Sequence, residues 1–196
     1  MAGLGGAVLS VSSRAWSHNQ TVTLIVGYPP GGATDLLART LAENLQKQLG
    51  ATVIVMNKPG AGGRIAAEYV KNAKPDGMTL LFTTSSLLVI YPHIYQNLSY
   101  DPLRDFAPVS IAARSVLCLS VGPSVPSSVR TVADYVAWVK ANPQMATFGT
   151  VSGTAPHFVG LLFSRAAGLD LKLVPYKGGA QAMTDLMGGH IPVTVS

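Results

Sequence analysis

Apolar residues along this chain fall into short runs whose spacing alternates between two periods, with glycine-rich or polar turns between them. Residues 22–26 are apolar except for Thr23 and of strand length. After them Leu36, Leu37, Thr40, Leu41 and Leu45 recur at helical spacing, with Thr34 or Asp35 placed to cap the helix and Gly50 to stop it. A second strand pattern covers 52–56, a helix runs to about residue 72, and Pro75-Asp76-Gly77 turns the chain into a strand at 78–83. Residues 87–98 read as a helix that breaks near Pro92, 100–106 as a connection, and 109–121 as one or two extended segments around Arg114. The alternation then resumes: Thr131 caps a helix at 132–141, followed by a strand at 146–148, a helix at 157–167, a strand at 171–174, a helix at 180–187 and a strand at 191–195. Such alternation predicts a layered α/β fold with mainly parallel sheets, arranged as two lobes over 21–113 and 114–196.

Several predicted strands end in turns rich in glycine or hydroxyl groups, and in open α/β sheets the carboxyl edge is where ligands bind. The first turn runs from Tyr28 through Pro30, Gly31, Gly32 and Ala33 to Asp35; the second, from Lys58, contains Gly62 and Gly63. Bare backbone at a helix start aims N–H groups at whatever sits there and favours an anion. Neither turn has the lysine and hydroxyl spacing of a P-loop or a G-x-G-x-x-G pattern, so a carboxylate is a better candidate than a nucleotide. Thr84 and Ser85 offer hydroxyls at the third strand end, and Thr150, Ser152 and Thr154 offer the same from the second lobe. His157 can support packing or touch a ligand, Tyr176 can cover one and Lys177 can attract its charge. Arg64 and Arg114 are candidates for selecting extra acidic groups, whereas Asp35 fits a helix cap better than an anion site.

Composition narrows the partners. Charged residues are 12% of the 196, and the formal charge of +5 comes from having few acids, with lysines and arginines scattered. That argues against a nucleic-acid surface and is compatible with an acidic small molecule. Cys118 is the lone cysteine and is expected to be a buried core thiol. No catalytic residue, metal or cofactor is expected. Ser152 and Ser164 lie outside any G-x-S-x-G elbow, the four histidines lack ligand spacing, and the loops hold no paired carboxylates. Residues 1–20 have the small, apolar-then-polar character of the second half of a secretory signal, with Ser13-Arg14-Ala15 as a cleavage site and no basic start.

In order and spacing, Pro29-Pro-Gly-Gly32 with Asp35, Asn57-Lys-Pro-Gly-Ala-Gly-Gly63, Pro75-Asp-Gly77, Thr84-Ser85, Tyr100-Asp-Pro102, Asp105-Phe-Ala-Pro-Val-Ser110, His157 and Val174-Pro-Tyr-Lys-Gly178 resemble the substrate-binding proteins of tripartite tricarboxylate transporters, the Bug family. The resemblance implies a two-lobed periplasmic-binding-protein-like (type II) fold that closes on a small carboxylate and delivers it to membrane transporter subunits. It places the proximal carboxylate against both glycine turns, partly through ordered waters, and the distal end against the second lobe. Family chains continue past the equivalent of Ser196, and Ile191-Pro192 stands where they commonly run toward an acidic residue. A C-terminally truncated receptor with an incomplete second lobe is therefore expected, and its exposed edges would favour self-association. A ligand-sensing module and an enzyme on a similar α/β frame are the alternative functions.

Overall fold

The computed structural model describes residues 21–196, and the leader expected over 1–20 lies outside them. Two sheets organise the chain. The first takes β1 (Thr21–Val26), β2 (Thr52–Asn57) and β3 (Thr79–Phe82) in the order β2-β1-β3, all parallel, with α1 (Ala33–Leu49) and α2 (Arg64–Lys71) as crossovers. Central β1 is covered on both faces, which explains its nearly continuous apolar sequence. Val22 and Leu24 pack with Ala42 and Val53, while Val26 joins a cluster of Ala38, Ala67, Leu87, Tyr91 and Tyr100.

The second sheet has the order β4-β7-β5-β6, from β4 (Leu119–Val121), β5 (Thr147–Thr150), β6 (Lys172–Pro175) and β7 (Val193–Val195). β5 runs parallel to both neighbours, and β4 pairs antiparallel with β7. Tyr135, Val139, Phe148, Leu171, Val193 and Val195 form its core. The expected cap at Thr131 is present on α5 (Val132–Ala141): Asp134 N–H donates to Thr131 Oγ1 at 3.1 Å and Thr131 N–H to Asp134 Oδ2 at 3.0 Å, a reciprocal capping box. α6 (Ala155–Ala166) and α7 (Gly179–Met187) complete this half.

Four expectations need correction. The cap of α1 is Gly32, without a side-chain bond, and the buried face runs through Asp35, Ala38 and Ala42 while Leu36 and Leu37 are 58% and 45% exposed. Close approach of helix to strand selects alanine for that face. The helix expected at 87–98 is two single turns, α3 (Ser86–Val89) and α4 (Tyr91–Ile94), because Pro92 lacks an N–H and is accommodated only by starting a new turn. Of the extended segment at 109–121 only β4 pairs; Val109, Ile111 and Val116 are exposed and no ladder holds them. Cys118 is exposed, not buried: its main chain exchanges hydrogen bonds with Ser196 beside the β4–β7 ladder, leaving the thiol outside.

Candidate functional site

The carboxyl ends of β2, β5 and β6 meet at a cleft of about 220 Å³ between the two sheets. One wall is the second glycine turn with Arg64; the other is Val151, Ser152, Tyr176 and Lys177, with Tyr95 beside them. Gly60, Ala61, Gly62 and Gly63 all have positive φ (136°, 48°, 66° and 95°), a left-handed path that makes glycine the natural occupant. Ala61 is the one non-glycine with positive φ among the described residues. Strain of this kind persists only where surroundings enforce it. Here Tyr91, fully buried, donates its hydroxyl to Gly62 O at 2.9 Å from beneath. Gly63 N–H is committed to Gly60 O and Arg64 N–H to Ala61 O, so the N–H groups of Ala61 and Gly62 stand outside the turn's own bonds.

Arg64 is held in place by two contacts: its Nε donates to Ala61 O at 2.9 Å, and its guanidinium lies 4.0 Å from the centre of the Tyr95 ring. The two Nη groups stay available. Lys177 is exposed and supplies the second cation, and no carboxylate is among the lining residues. Tyr176 donates its hydroxyl to Asp185 Oδ2 at 2.7 Å, and burial with that carboxylate pushes the phenol up to about 12, so it stays protonated and fixed. Arg64 was singled out by sequence; Tyr95 and Asp185 were missed, because nothing in their local sequence announces a long-range partner.

The first glycine turn is built differently. Asp35 is 2% exposed, and its carboxylate accepts from Gly31 N–H (2.9 Å), from Arg39 Nε and Nη2 (both 3.0 Å) and from Asn57 Nδ2 (2.8 Å). Asn57 Nδ2 also donates to Tyr28 O at 3.1 Å, and Arg39 Nη2 donates to Asn57 Oδ1 at 3.1 Å. The Arg39 hydrogen bonds, with Gly31 and Asn57, hold the Asp35 carboxyl down to about 2. Gly31 N–H therefore faces inward to Asp35 and leaves the donor set; Gly32 and Ala33 N–H remain, at the start of α1. Tyr28 is buried, and its hydroxyl shares a 2.9 Å hydrogen bond with Thr84 Oγ1, so both act in packing the turn. Pro30 and Ser85 are exposed.

In the second half, two expected donors are occupied. Thr150 Oγ1 donates to Val195 O at 2.9 Å and Thr154 Oγ1 to Val151 O at 2.7 Å. With their protons committed, neither can donate to a carboxylate. Ser152 keeps its hydroxyl in the cleft. His157 takes the packing role: its ring stacks 6.2 Å from Phe148, Nδ1 accepts from Gly153 N–H at 3.2 Å, and burial lowers its pKa, so the neutral ring carries its proton on Nε2. Arg114 lies outside the cleft lining. Among the described residues no three His, Cys, Asp or Glu side chains gather as a metal site.

Two sheets of this topology meeting at a donor-rich cleft define a periplasmic-binding-protein-like architecture. Comparison with known proteins makes the class specific: residues 37–196 match the tripartite tricarboxylate transporter family receptor, TctC, and the chain belongs to that family. BugT of Bordetella pertussis is 34% identical over 89% of this chain and 53% of its own length. Among solved structures, R. palustris Rpa4515 with adipate superposes with a TM-score of 0.86 at 35% identity, covering 92% of this chain and 60% of that one. MatC from Rhodopseudomonas palustris with bound malate gives 0.73 at 27% identity, over 89% and 59%. The chain spans 49–59% of the length of the curated relatives it matches.

Proposed function

We propose that this chain is the cleft-forming part of a periplasmic solute receptor that binds a small carboxylate, in the class of di- or tricarboxylates, acidic amino acids or aromatic carboxylates, for a tripartite tricarboxylate-type transporter. The observation that carries the reading is the charge of the cleft: Arg64 and Lys177 with unpaired turn N–H groups and no acidic side chain in the lining. A desolvated carboxylate needs that donor surplus. Adipate and malate in two structural neighbours belong to the same chemical class. The lobes hold ligand between them and act without turnover; Gly62, Ser152, Tyr176 and Lys177, all in the cleft lining, are the contacts retained from the sequence.

Thermal-shift screening with adipate, malate, glutamate and nicotinate tests this. Ligand at about 100 times its Kd adds about 2.7 kcal/mol of stability, so a binder raises Tm visibly. Stabilisation by nucleotides alone, or consumption of the ligand, would sink the reading.

A further inference from the structure

The first glycine turn lies against the second half of the molecule, outside the cleft lining. Its contact is Gly178, whose φ of −170° and ψ of 162° are extended backbone that any residue can adopt. Local conformation therefore does not demand glycine there. Pro29 does: a Cβ on Gly178 would lie 2.9 Å from Pro29 Cδ, closer than carbon atoms pack, with Pro29 Cγ in contact at 3.4 Å. The proline ring is stiff and sits in a turn anchored by Asp35 and Asn57, so it cannot step aside. Gly32 repeats the contact nearby, since a Cβ there would stand 3.9 Å from Ala180 N. Elsewhere along the seam Ala155 N–H donates to Ser86 Oγ at 3.0 Å, and Gly153 lies close enough to Tyr95 that a Cβ would be 3.3 Å from its hydroxyl.

We propose that Pro29 and Gly178 form the closure stop of the receptor: absence of a side chain at Gly178 allows the β6–α7 turn to seat on the first glycine turn, and this contact sets how far the cleft narrows. The first turn thus serves as the jamb against which the second half closes. Its effect on binding rests on the receptor reading above; its effect on closure does not.

Gly178→Ser separates this role from a structural one. Gly178 caps α7 without a side-chain bond, and serine is a better helix cap than glycine, so the free chain should keep or raise its Tm. The added Cβ obstructs only the seated arrangement. Small-angle scattering of the ligand-free chain should show a larger radius of gyration for Gly178→Ser, and titration calorimetry should show at least tenfold weaker adipate and malate binding. Removing the opposing ring in Pro29→Ala/Gly178→Ser should restore both. Gly178→Ala carries the same Cβ and replaces the serine variant if circular dichroism shows that variant unfolded. A Gly178→Ser chain with wild-type radius and wild-type affinity would overturn the proposal. If the wild type binds neither acid while the radius still responds and is rescued, the closure stop stands and the receptor reading falls.

Discussion

The two glycine turns share a sequence plan of strand, Pro-Gly and helix start, yet the folded chain uses them in opposite ways. Around the first, Asp35, Arg39 and Asn57 tie Gly31 and the Tyr28 carbonyl from behind, and the turn's outer side meets Gly178. The second is held from below by Tyr91 on Gly62 O, runs through four consecutive positive φ values and opens into the cleft with Arg64 beside it. Glycine content alone does not make an anion site. What decides is how neighbouring side chains hold each turn and whether its remaining N–H groups line the cleft.

The largest way to break this contrast is Asp35→Ala. Removing a buried carboxylate leaves Arg39, Asn57 and Gly31 N–H without their acceptor and should cost about 3 kcal/mol, read as the urea unfolding midpoint. Its pH dependence has a definite sign. Asp35 is held down to about 2 against 3.8, so its stabilisation is complete above the unfolded value and is lost as pH falls through the folded one. Wild type and Asp35→Asn should therefore differ by a constant amount from pH 7 to 5 and converge between about pH 4 and 2.

Gly62→Ala attacks the second turn and should cost about 2 kcal/mol, since a side chain at φ 66° is strained and its Cβ would collide with the Tyr91 hydroxyl. Unlike Asp35→Ala, it should also remove the adipate-induced Tm shift. A sharper comparison at the next level down pairs Arg64→Ala with Lys177→Ala. Each should weaken carboxylate binding about tenfold, or about 1.4 kcal/mol, with the effect of the exposed lysine shrinking more in high salt. Thr150→Val should have the smallest effect, about 1 kcal/mol of stability from the lost bond to Val195 O, with affinity unchanged in calorimetry.

How far the site was legible in sequence follows from the range of the interactions involved. Gly62, Ser152, Tyr176, Lys177 and Arg64 could be found because strand-end position and residue chemistry are local properties. Thr150 and Thr154 could not be excluded by the same reasoning, since their acceptors are a carbonyl 45 residues away and one three residues back that only the folded loop presents. His157 likewise looked ambiguous until Gly153 N–H and Phe148 occupied it. Leu36, Leu37, Leu41 and Leu45 marked the helix, but their spacing did not show that Asp35, Ala38 and Ala42 form its buried face with Leu41 and Leu45 beside it, while Leu36 and Leu37 stay exposed.

By itself the sequence determined the order of most elements, the mainly parallel α/β class, the Thr131 cap and the family, all of which rest on short-range periodicity, turn chemistry and motif order. Only the tertiary structure decided which glycine turn faces the cleft and which faces the seam. That choice depends on contacts between residues such as Asp35 and Asn57, Tyr91 and Gly62, or Pro29 and Gly178, up to 149 positions apart (178 − 29), and no local pattern records where distant side chains place their hydrogen-bond partners.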